Sequence, residues 1–276
     1  ALDYFKQALV ILRQVRDQSG EGTTLSNIGG IYQLQGKYPE ALDYFKQALV
    51  VLRQIGDRSG EGTTLNNFGM VYQSQGKYPE ALDYYKQALV ILRQVGDRSG
   101  EGTTLNNFGM VYQSQGKYPE ALDYYKQALV VLRQVGDRSG EGATLNNIGG
   151  IYQSQGKYPE ALDYFKQALV IRRKVGDRSG EGATLNNIGA IYQSQGKYPE
   201  ALGYYEQDLV IVRQVGDRSG EGTTLNNIGM VYQSQGKYPK ALDYYEQALV
   251  IGRTTGNKRL EIIAENNLNT VKNRMP

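Results

Sequence analysis

The chain repeats itself every 40 residues, and this period constrains its fold more than any other feature. A Gly-Lys-Tyr-Pro segment marks each copy, and its glycine stands at Gly36, Gly76, Gly116, Gly156, Gly196 and Gly236. A fixed period of this size is typical of arrays in which each copy packs only against its neighbours. We therefore predict one elongated array, residues 1–276, and not two globular domains.

Each repeat carries the signals of two helices, as the first full repeat illustrates. Asp17 or Ser19 can cap a first helix, here called the A helix, and Gly36 can end it with a positive φ. Pro39 suits the first turn of a second helix, the B helix, which carries one apolar stripe. The predicted A and B helices cover about 18–35 and about 38–55.

A glycine recurs in the middle of the A helix, although a glycine there costs about 1 kcal/mol relative to alanine. It stands at Gly29, Gly69, Gly109, Gly149, Gly189 and Gly229. This recurrence predicts that the B helix approaches the A helix closely, at a point where a Cβ atom would clash. Ala48 and its copies are the small residues expected on the B helix opposite this glycine.

The residues of one repeat resemble the tetratricopeptide repeat (TPR) signature. The matching positions are Leu25-x-x-Ile28-Gly29-x-x-Tyr32 in the A helix and Ala41-x-x-x-Phe45-x-x-Ala48 in the B helix. The 40-residue length is similar to that in Pins-type polarity adaptors, kinesin light chain and large bacterial, notably cyanobacterial, TPR proteins. The resemblance implies an all-α fold, a right-handed superhelical solenoid of antiparallel helix pairs.

The repeat pattern also predicts how the chain is divided. Residues 1–16 form a lone B helix, and six helix-pair repeats follow at 17–56, 57–96, 97–136, 137–176, 177–216 and 217–256. Residues 257–276 align with an A helix and carry more charge, as expected of a cap that solvates the end of an array. Because Ala1 falls in the middle of a repeat, we expect the chain to be a fragment.

Composition argues against several classes of function. The chain has no histidine and no cysteine, which removes the usual general base and the commonest metal ligands. We therefore predict no enzyme activity, no catalytic residue, no metal and no cofactor.

The net charge of +3 arises from repeats whose charges nearly cancel, so we expect no nucleic-acid partner. No apolar run approaches the roughly 18 residues that span a bilayer, so we expect no membrane partner. The location that we expect is cytoplasmic.

Paired asparagines in the A helices are the predicted peptide-binding residues. The resemblance implies that A helices line a concave groove, with wall positions in one repeat at Thr63, Asn66, Asn67, Met70, Gln73 and Ser74. The predicted binding residues are Asn27, Asn66, Asn67, Asn106, Asn107, Asn146, Asn147, Asn186, Asn187, Asn226 and Asn227. An asparagine amide can pair with a peptide backbone of either polarity. The alternative is that these amides only tie adjacent A helices together.

Two charged residues interrupt the apolar stripe of consecutive B helices. Arg172 replaces a leucine, and Asp208 replaces the packing alanine. Two isolated half-buried charges would each be costly, whereas a pair compensates part of that cost. We therefore predict an ion pair between Arg172 and Asp208 that joins neighbouring repeats, with divergence between duplicated copies as the alternative.

The predicted function is that of a protein-interaction scaffold that binds an extended or helical peptide segment. One alternative is a structural or self-assembling array in which stacking is itself the function. Another is the sensor arm of a larger bacterial signalling protein, with a CHAT or NTPase domain elsewhere. The uncovered apolar stripe of the first helix, which includes Leu2, Phe5, Leu9 and Leu12, further predicts end-to-end or swapped self-association.

Overall fold

A computed structural model describes residues 2–274 of the chain, and within them it contains fourteen α-helices and no β-strand. The helices are α1 (Leu2–Gln14), α2 (Gln18–Leu34), α3 (Tyr38–Gln54), α4 (Arg58–Ser74), α5 (Tyr78–Val95), α6 (Arg98–Ser114), α7 (Tyr118–Val135), α8 (Arg138–Ser154), α9 (Tyr158–Val175), α10 (Arg178–Ser194), α11 (Tyr198–Val215), α12 (Arg218–Ser234), α13 (Tyr238–Thr255) and α14 (Lys258–Lys272). The predicted all-α fold of antiparallel helix pairs is confirmed. Ala1, Met275 and Pro276, the outer ends of the predicted terminal helices, lie outside the described residues.

The chain divides into two compact units, residues 1–144 and residues 145–276. Even-numbered helices are A helices and odd-numbered helices are B helices. In the first unit, each A helix packs against the B helix that follows it, and α2, α4 and α6 contact one another in succession. In the second unit the same holds for α10, α12 and α14.

Capping residues set the helix boundaries in every described repeat. The Oδ1 atom of Asp57 accepts a hydrogen bond of 2.9 Å from the backbone N–H of Gly60, so the aspartate is the cap that the sequence predicts. Gly76 follows the A helix with a φ of +72°, a left-handed conformation that glycine adopts without steric cost. Proline then stands in the first turn of the B helix, where its missing N–H leaves no helical bond unmade.

The apolar core is shared between neighbouring repeats rather than enclosed within one. In the first unit, Phe45 and Leu49 of α3 lie in one cluster with Leu65 and Phe68 of α4 and Leu92 of α5. Each of these side chains is at most 9% exposed. One helix pair alone would leave this surface in water, so each repeat depends on the next for its burial.

The recurring glycine of the A helix lies against an aromatic ring of the B helix. A Cβ atom on Gly69 would fall 2.3 Å from Cε1 of Tyr85, far inside van der Waals contact. The predicted close approach is present, but the residue opposite the glycine is Tyr85, the equivalent of Phe45, and not the equivalent of Ala48. Burial raises the pKa of Tyr85, whose hydroxyl donates a 2.7 Å hydrogen bond to Oε1 of Gln73.

Replacing Gly69 with alanine should therefore destabilise the chain. Overpacking a core costs about 1–3 kcal/mol, whereas the higher helix propensity of alanine returns about 1 kcal/mol. We expect the urea midpoint to fall for Gly69→Ala. Gly30→Ala is the matched control, because beyond its chain neighbours and the nearby backbone of its own helix no atom lies within 4 Å of the added Cβ. The midpoint should rise for this control, and equal shifts in the two variants would contradict the close-approach explanation.

Candidate functional site

A buried glutamate in the first turn of each A helix joins that helix to the preceding B helix. Glu101 is 3% exposed, and its Oε1 accepts a 2.8 Å hydrogen bond from Nε of Arg93 at the end of α5. Its Oε2 accepts a hydrogen bond from Arg98 in its own helix. The same arrangement recurs at Glu61, Glu141, Glu181 and Glu221.

Sequence reasoning missed this contact between repeats. A first-turn glutamate normally needs no explanation beyond the helix dipole. The available signal was its constant spacing of eight residues from an arginine at the end of the preceding B helix, as in Arg93 and Glu101. The carboxylate accepts from two guanidinium groups at once, so it orients the first turn of the A helix.

The paired asparagines form hydrogen bonds between adjacent A helices. Nδ2 of Asn107 donates a 3.0 Å hydrogen bond to Oδ1 of Asn66 in the preceding repeat. Thr104 donates to the same oxygen at 3.2 Å. The equivalent amide contacts join Asn187 to Asn146, Asn227 to Asn186 and Asn267 to Asn226. Asn106 accepts a 3.1 Å hydrogen bond from Thr144, and Asn147 lies half-buried on α8.

The first repeats differ from this pattern because Ser26 replaces the first asparagine of the pair. The hydroxyls of Ser26 and Thr64 lie 2.9 Å apart and form a hydrogen bond. In other repeats the second asparagine of the pair donates to the first asparagine of the preceding repeat. The side chain of Asn67, which has a serine in that place, makes no hydrogen bond to any residue in 2–274. Asn27 is exposed on α2. Between α2 and α4 the amide contact is thus absent because its acceptor is missing.

The side chains that remain accessible on the A helices form a surface that we call the A surface. It comprises Thr63, Asn67, Met70, Thr103 and Met110 in the first unit, and Asn187, Thr223, Asn227 and Met230 in the second. Within the described part of the chain, the amide oxygens of Asn187 and Asn227 accept no hydrogen bond. Their Nδ2 groups are already bound to the preceding repeat, so each amide is held in one orientation with its acceptor unused.

The predicted ion pair between Arg172 and Asp208 does not form. Arg172 reaches α10 instead, where its Nη1 donates to the carbonyl oxygen of Gly180 and, at 3.1 Å, to Oγ1 of Thr184. Its Nε lies 3.8 Å from Oδ2 of Asp177. Burial lowers the pKa of the Arg172 guanidinium, and the charge of Asp177 opposes that shift.

Asp208 has a different set of neighbours, which bind only one of its two carboxylate oxygens. Its Oδ2 accepts hydrogen bonds from Oγ1 of Thr224 at 2.6 Å and from Nδ2 of Asn186 at 3.0 Å. Desolvation raises the pKa of the Asp208 carboxyl, which these two hydrogen bonds oppose. Each of the two charges thus finds partners on the A helices beside it and not in the other charge. Within residues 2–274, Nε of Arg172 and Oδ1 of Asp208 remain buried without a hydrogen-bond partner.

Two classes of site have no counterpart in residues 2–274. None of the helices there is long and apolar enough to cross a bilayer. The same residues contain no cluster of three or more acidic side chains that could hold a metal ion.

The tetratricopeptide repeat family model matches almost the whole chain. Its overlapping matches cover residues 1–54, 20–94, 60–134, 100–174, 140–209 and 180–254. No curated protein sequence matches the chain significantly.

Several solved structures have the same fold as this chain, among them the following three. A Rap protein complexed with competence and sporulation factor is 18% identical, over 99% of this chain and 85% of that chain, with a TM-score of 0.65. A STAND protein with a tetratricopeptide repeat sensor from Pyrococcus horikoshii is 17% identical over 98% of this chain and 43% of that chain, with a TM-score of 0.71. A kinesin light chain of Podosopora anserina with nearly identical TPR-like repeats is 19% identical over 70% and 95%, with a TM-score of 0.56. These identities show a common fold alone, and they confirm the predicted likeness to kinesin light chain.

The glutamate contact predicts a measurable loss of stability. Glu101→Gln removes the charge from two hydrogen bonds to arginines that are about half-exposed, so we expect the free energy of unfolding to fall by about 1–2 kcal/mol. Glu120→Gln is the control, because Glu120 is an exposed first-turn residue of α7. Urea denaturation compares the two, and equal losses would show that the burial of Glu101 contributes nothing.

The asparagine contacts predict that two equivalent substitutions differ in effect. Asn107→Ala removes the donor to Asn66, which should cost about 1 kcal/mol more than Asn67→Ala, where no hydrogen bond is lost. Both variants gain the same helix propensity, so the difference between them isolates the contact. Thermal unfolding followed by circular dichroism measures it, and identical melting curves would contradict the assignment of Asn107 as a tie between repeats.

Proposed function

Because the chain belongs to the tetratricopeptide repeat family, we propose that it is a non-catalytic interaction module. It binds an extended or helical segment of a protein or peptide along the A surface of its units. The observation that carries this proposal is the repetition of half-used asparagine amides on successive A helices. A hydrogen-bond acceptor held at the same place on α10 and α12, by Asn187 and Asn227, suits a ligand that offers backbone N–H groups at a matching interval.

In this proposal the asparagines both tie adjacent A helices together and bind the peptide ligand. Their Nδ2 groups bind the neighbouring repeat, and this contact orients the amide before any ligand arrives. A group that is already ordered loses less conformational entropy on binding. The solved Rap protein complexed with competence and sporulation factor supports the idea that an array of this fold can hold such a ligand.

Charge pairing supports the absence of a nucleic-acid partner. The arginines at the ends of the B helices, such as Arg93, contact buried glutamates of the next A helix. A guanidinium held in this way is less available to phosphate, and affinity for nucleic acid depends on phosphate neutralisation. The partner that we propose is therefore a protein or a peptide.

Two alternatives rest on specific observations. The helix α1 exposes Tyr4, Val10 and Ile11, while only Leu9 of its apolar stripe is fully buried, which favours self-association. The STAND protein with a tetratricopeptide repeat sensor favours a sensor arm, in which binding at these repeats would be transmitted to another domain. Sedimentation velocity at increasing concentration separates self-association, which shifts the sedimentation coefficient, from the proposed module, which leaves it constant.

The proposal predicts that binding depends on the A surface and not on the B helices. Random 12-residue peptides displayed on phage are selected on the immobilised chain, and the Kd of each enriched peptide is measured by fluorescence anisotropy. Met110→Arg, on the exposed part of α6, should weaken binding at least tenfold, or about 1.4 kcal/mol. Val130→Arg is the matched control on the exposed face of α7, and it should change the Kd less than twofold.

Either of two results would contradict the proposal. One is the recovery of no binding peptide. The other is a loss of binding in Val130→Arg that equals or exceeds the loss in Met110→Arg. Melting curves for both variants check that each remains folded, which is expected because both residues are exposed.

A further inference from the structure

A cavity of about 260 Å³ opens between the A helices α10 and α12 in the second unit. Its wall includes Asn186 on α10, Asp208 and Val212 on α11, and Asp217 and Thr224 at the start of α12. Two of its lining residues are acidic, and none is a lysine or an arginine. The cavity therefore combines room for a side-chain head group with an uncompensated negative charge.

Asp208 makes this cavity differ from its copies in other repeats. The equivalent residue is alanine at Ala48, Ala88, Ala128, Ala168 and Ala248. Asp208 is 2% exposed, and while Oδ2 has two hydrogen-bond donors, the buried Oδ1 has none in residues 2–274. Desolvation raises the pKa of this carboxyl, as expected of a charge without a cationic neighbour. A buried carboxylate is stabilised most by a cation that supplies hydrogen bonds.

The corresponding cavity in the first unit serves as a reference. It has a similar volume of about 270 Å³ and lies between α4 and α6. Its wall has Asn66, Leu92, Asp97 and Thr104 in the positions of Asn186, Val212, Asp217 and Thr224, and Ala88 stands where Asp208 would be. The cavity is thus a property of the repeat, whereas its buried carboxylate belongs to one copy.

The chain itself shows what kind of group the start of an A helix can bind at this position. One repeat earlier, Arg172 stands in the place of Val212, and its guanidinium contacts the carbonyl of Gly180, the hydroxyl of Thr184 and the carboxylate of Asp177. The equivalents of these three partners, 40 residues later, are Gly220, Thr224 and Asp217, and all three line the cavity beside Asp208. A guanidinium that entered from outside would meet the same partners and Asp208 in addition.

We propose that this cavity binds the basic side chain of a ligand segment, with an arginine guanidinium as the preferred group and Asp208 as its charge partner. The inference rests on the proposed function, because the basic residue belongs to a segment that lies on the A surface. It adds a site of specificity: the asparagines hold the backbone, and Asp208 selects a positive charge at one position. Neighbouring copies with alanine in this place make no such selection.

The test compares three fluorescein-labelled nonapeptides of alanine, serine and glycine that differ only in the central residue. That residue is arginine, lysine or citrulline, which has the shape of arginine without its charge. For the unaltered chain we expect fluorescence anisotropy to give a Kd for the arginine peptide at least tenfold lower than that for the citrulline peptide. The lysine peptide, which has the charge without the planar fork, should fall between the two.

Two variants assign this preference to Asp208. Asp208→Ala restores the residue that the other repeats carry, so it should fold, and Asp208→Asn removes the charge at nearly constant shape. In both variants the ratio of the citrulline and arginine Kd values should fall below two. A preference for arginine that persists in both variants, equal binding of arginine and citrulline by the unaltered chain, or no binding of any of the three peptides would overturn the proposal.

These outcomes remain distinct from failure of the proposed function. If the arginine and citrulline peptides bind equally and Met230→Arg weakens both, the A surface binds peptides and only the basic-side-chain site is wrong. If phage selection recovers no peptide and the three nonapeptides also fail to bind, both proposals are wrong.

Discussion

Burial of apolar surface between repeats is the interaction on which the whole array depends. The cluster that contains Phe45, Leu65 and Leu92 draws its side chains from two B helices and the A helix between them. A single helix pair would leave much of this surface in water, and the hydrophobic driving force scales with the area removed from it. The polar contacts fix how neighbouring helices are aligned. Glu101 positions the start of an A helix against the preceding B helix, and Asn107 positions the same helix against the preceding A helix.

The fold could be predicted from the sequence because its determinants are local and repeated. Asp57, Gly76 and Pro79 each mark a helix boundary by an effect on the neighbouring backbone. Because the sequence repeats every 40 residues, the helices predicted for one repeat apply to all the others. Contacts across space were harder to predict. The glycine at position 69 indicated a close approach, but spacing alone could not show that the ring of Tyr85 fills the gap.

The charged residues show the same limit more clearly. Glu101 looked like an ordinary first-turn acid, since nothing in one repeat reveals that two arginines converge on it. Arg172 and Asp208 stand out in the sequence as departures from the other repeats, yet the cost of a buried charge does not specify which partner offsets it. Both side chains turn towards A helices, where hydroxyl, carbonyl and amide groups form hydrogen bonds with them. Which partner a long side chain selects depends on these neighbours, and their arrangement exists only in the folded array.

An array of nearly identical repeats offers a ligand several equivalent positions. Residues that differ between repeats can make one of these positions preferred. Asn187 and Asn227 present the same acceptor on α10 and α12, so they cannot distinguish one register of a ligand from the next. Discrimination requires a position whose free energy differs from that of its copies. Asp208 provides such a difference: Arg172 supplies its own guanidinium to Gly180 and Thr184, whereas one repeat later Asp208 leaves the cavity between α10 and α12 with an unmatched carboxylate oxygen. An array built from nearly identical repeats can thus fix the register of a bound chain through one substituted residue, at little cost to the stacking that the other residues provide.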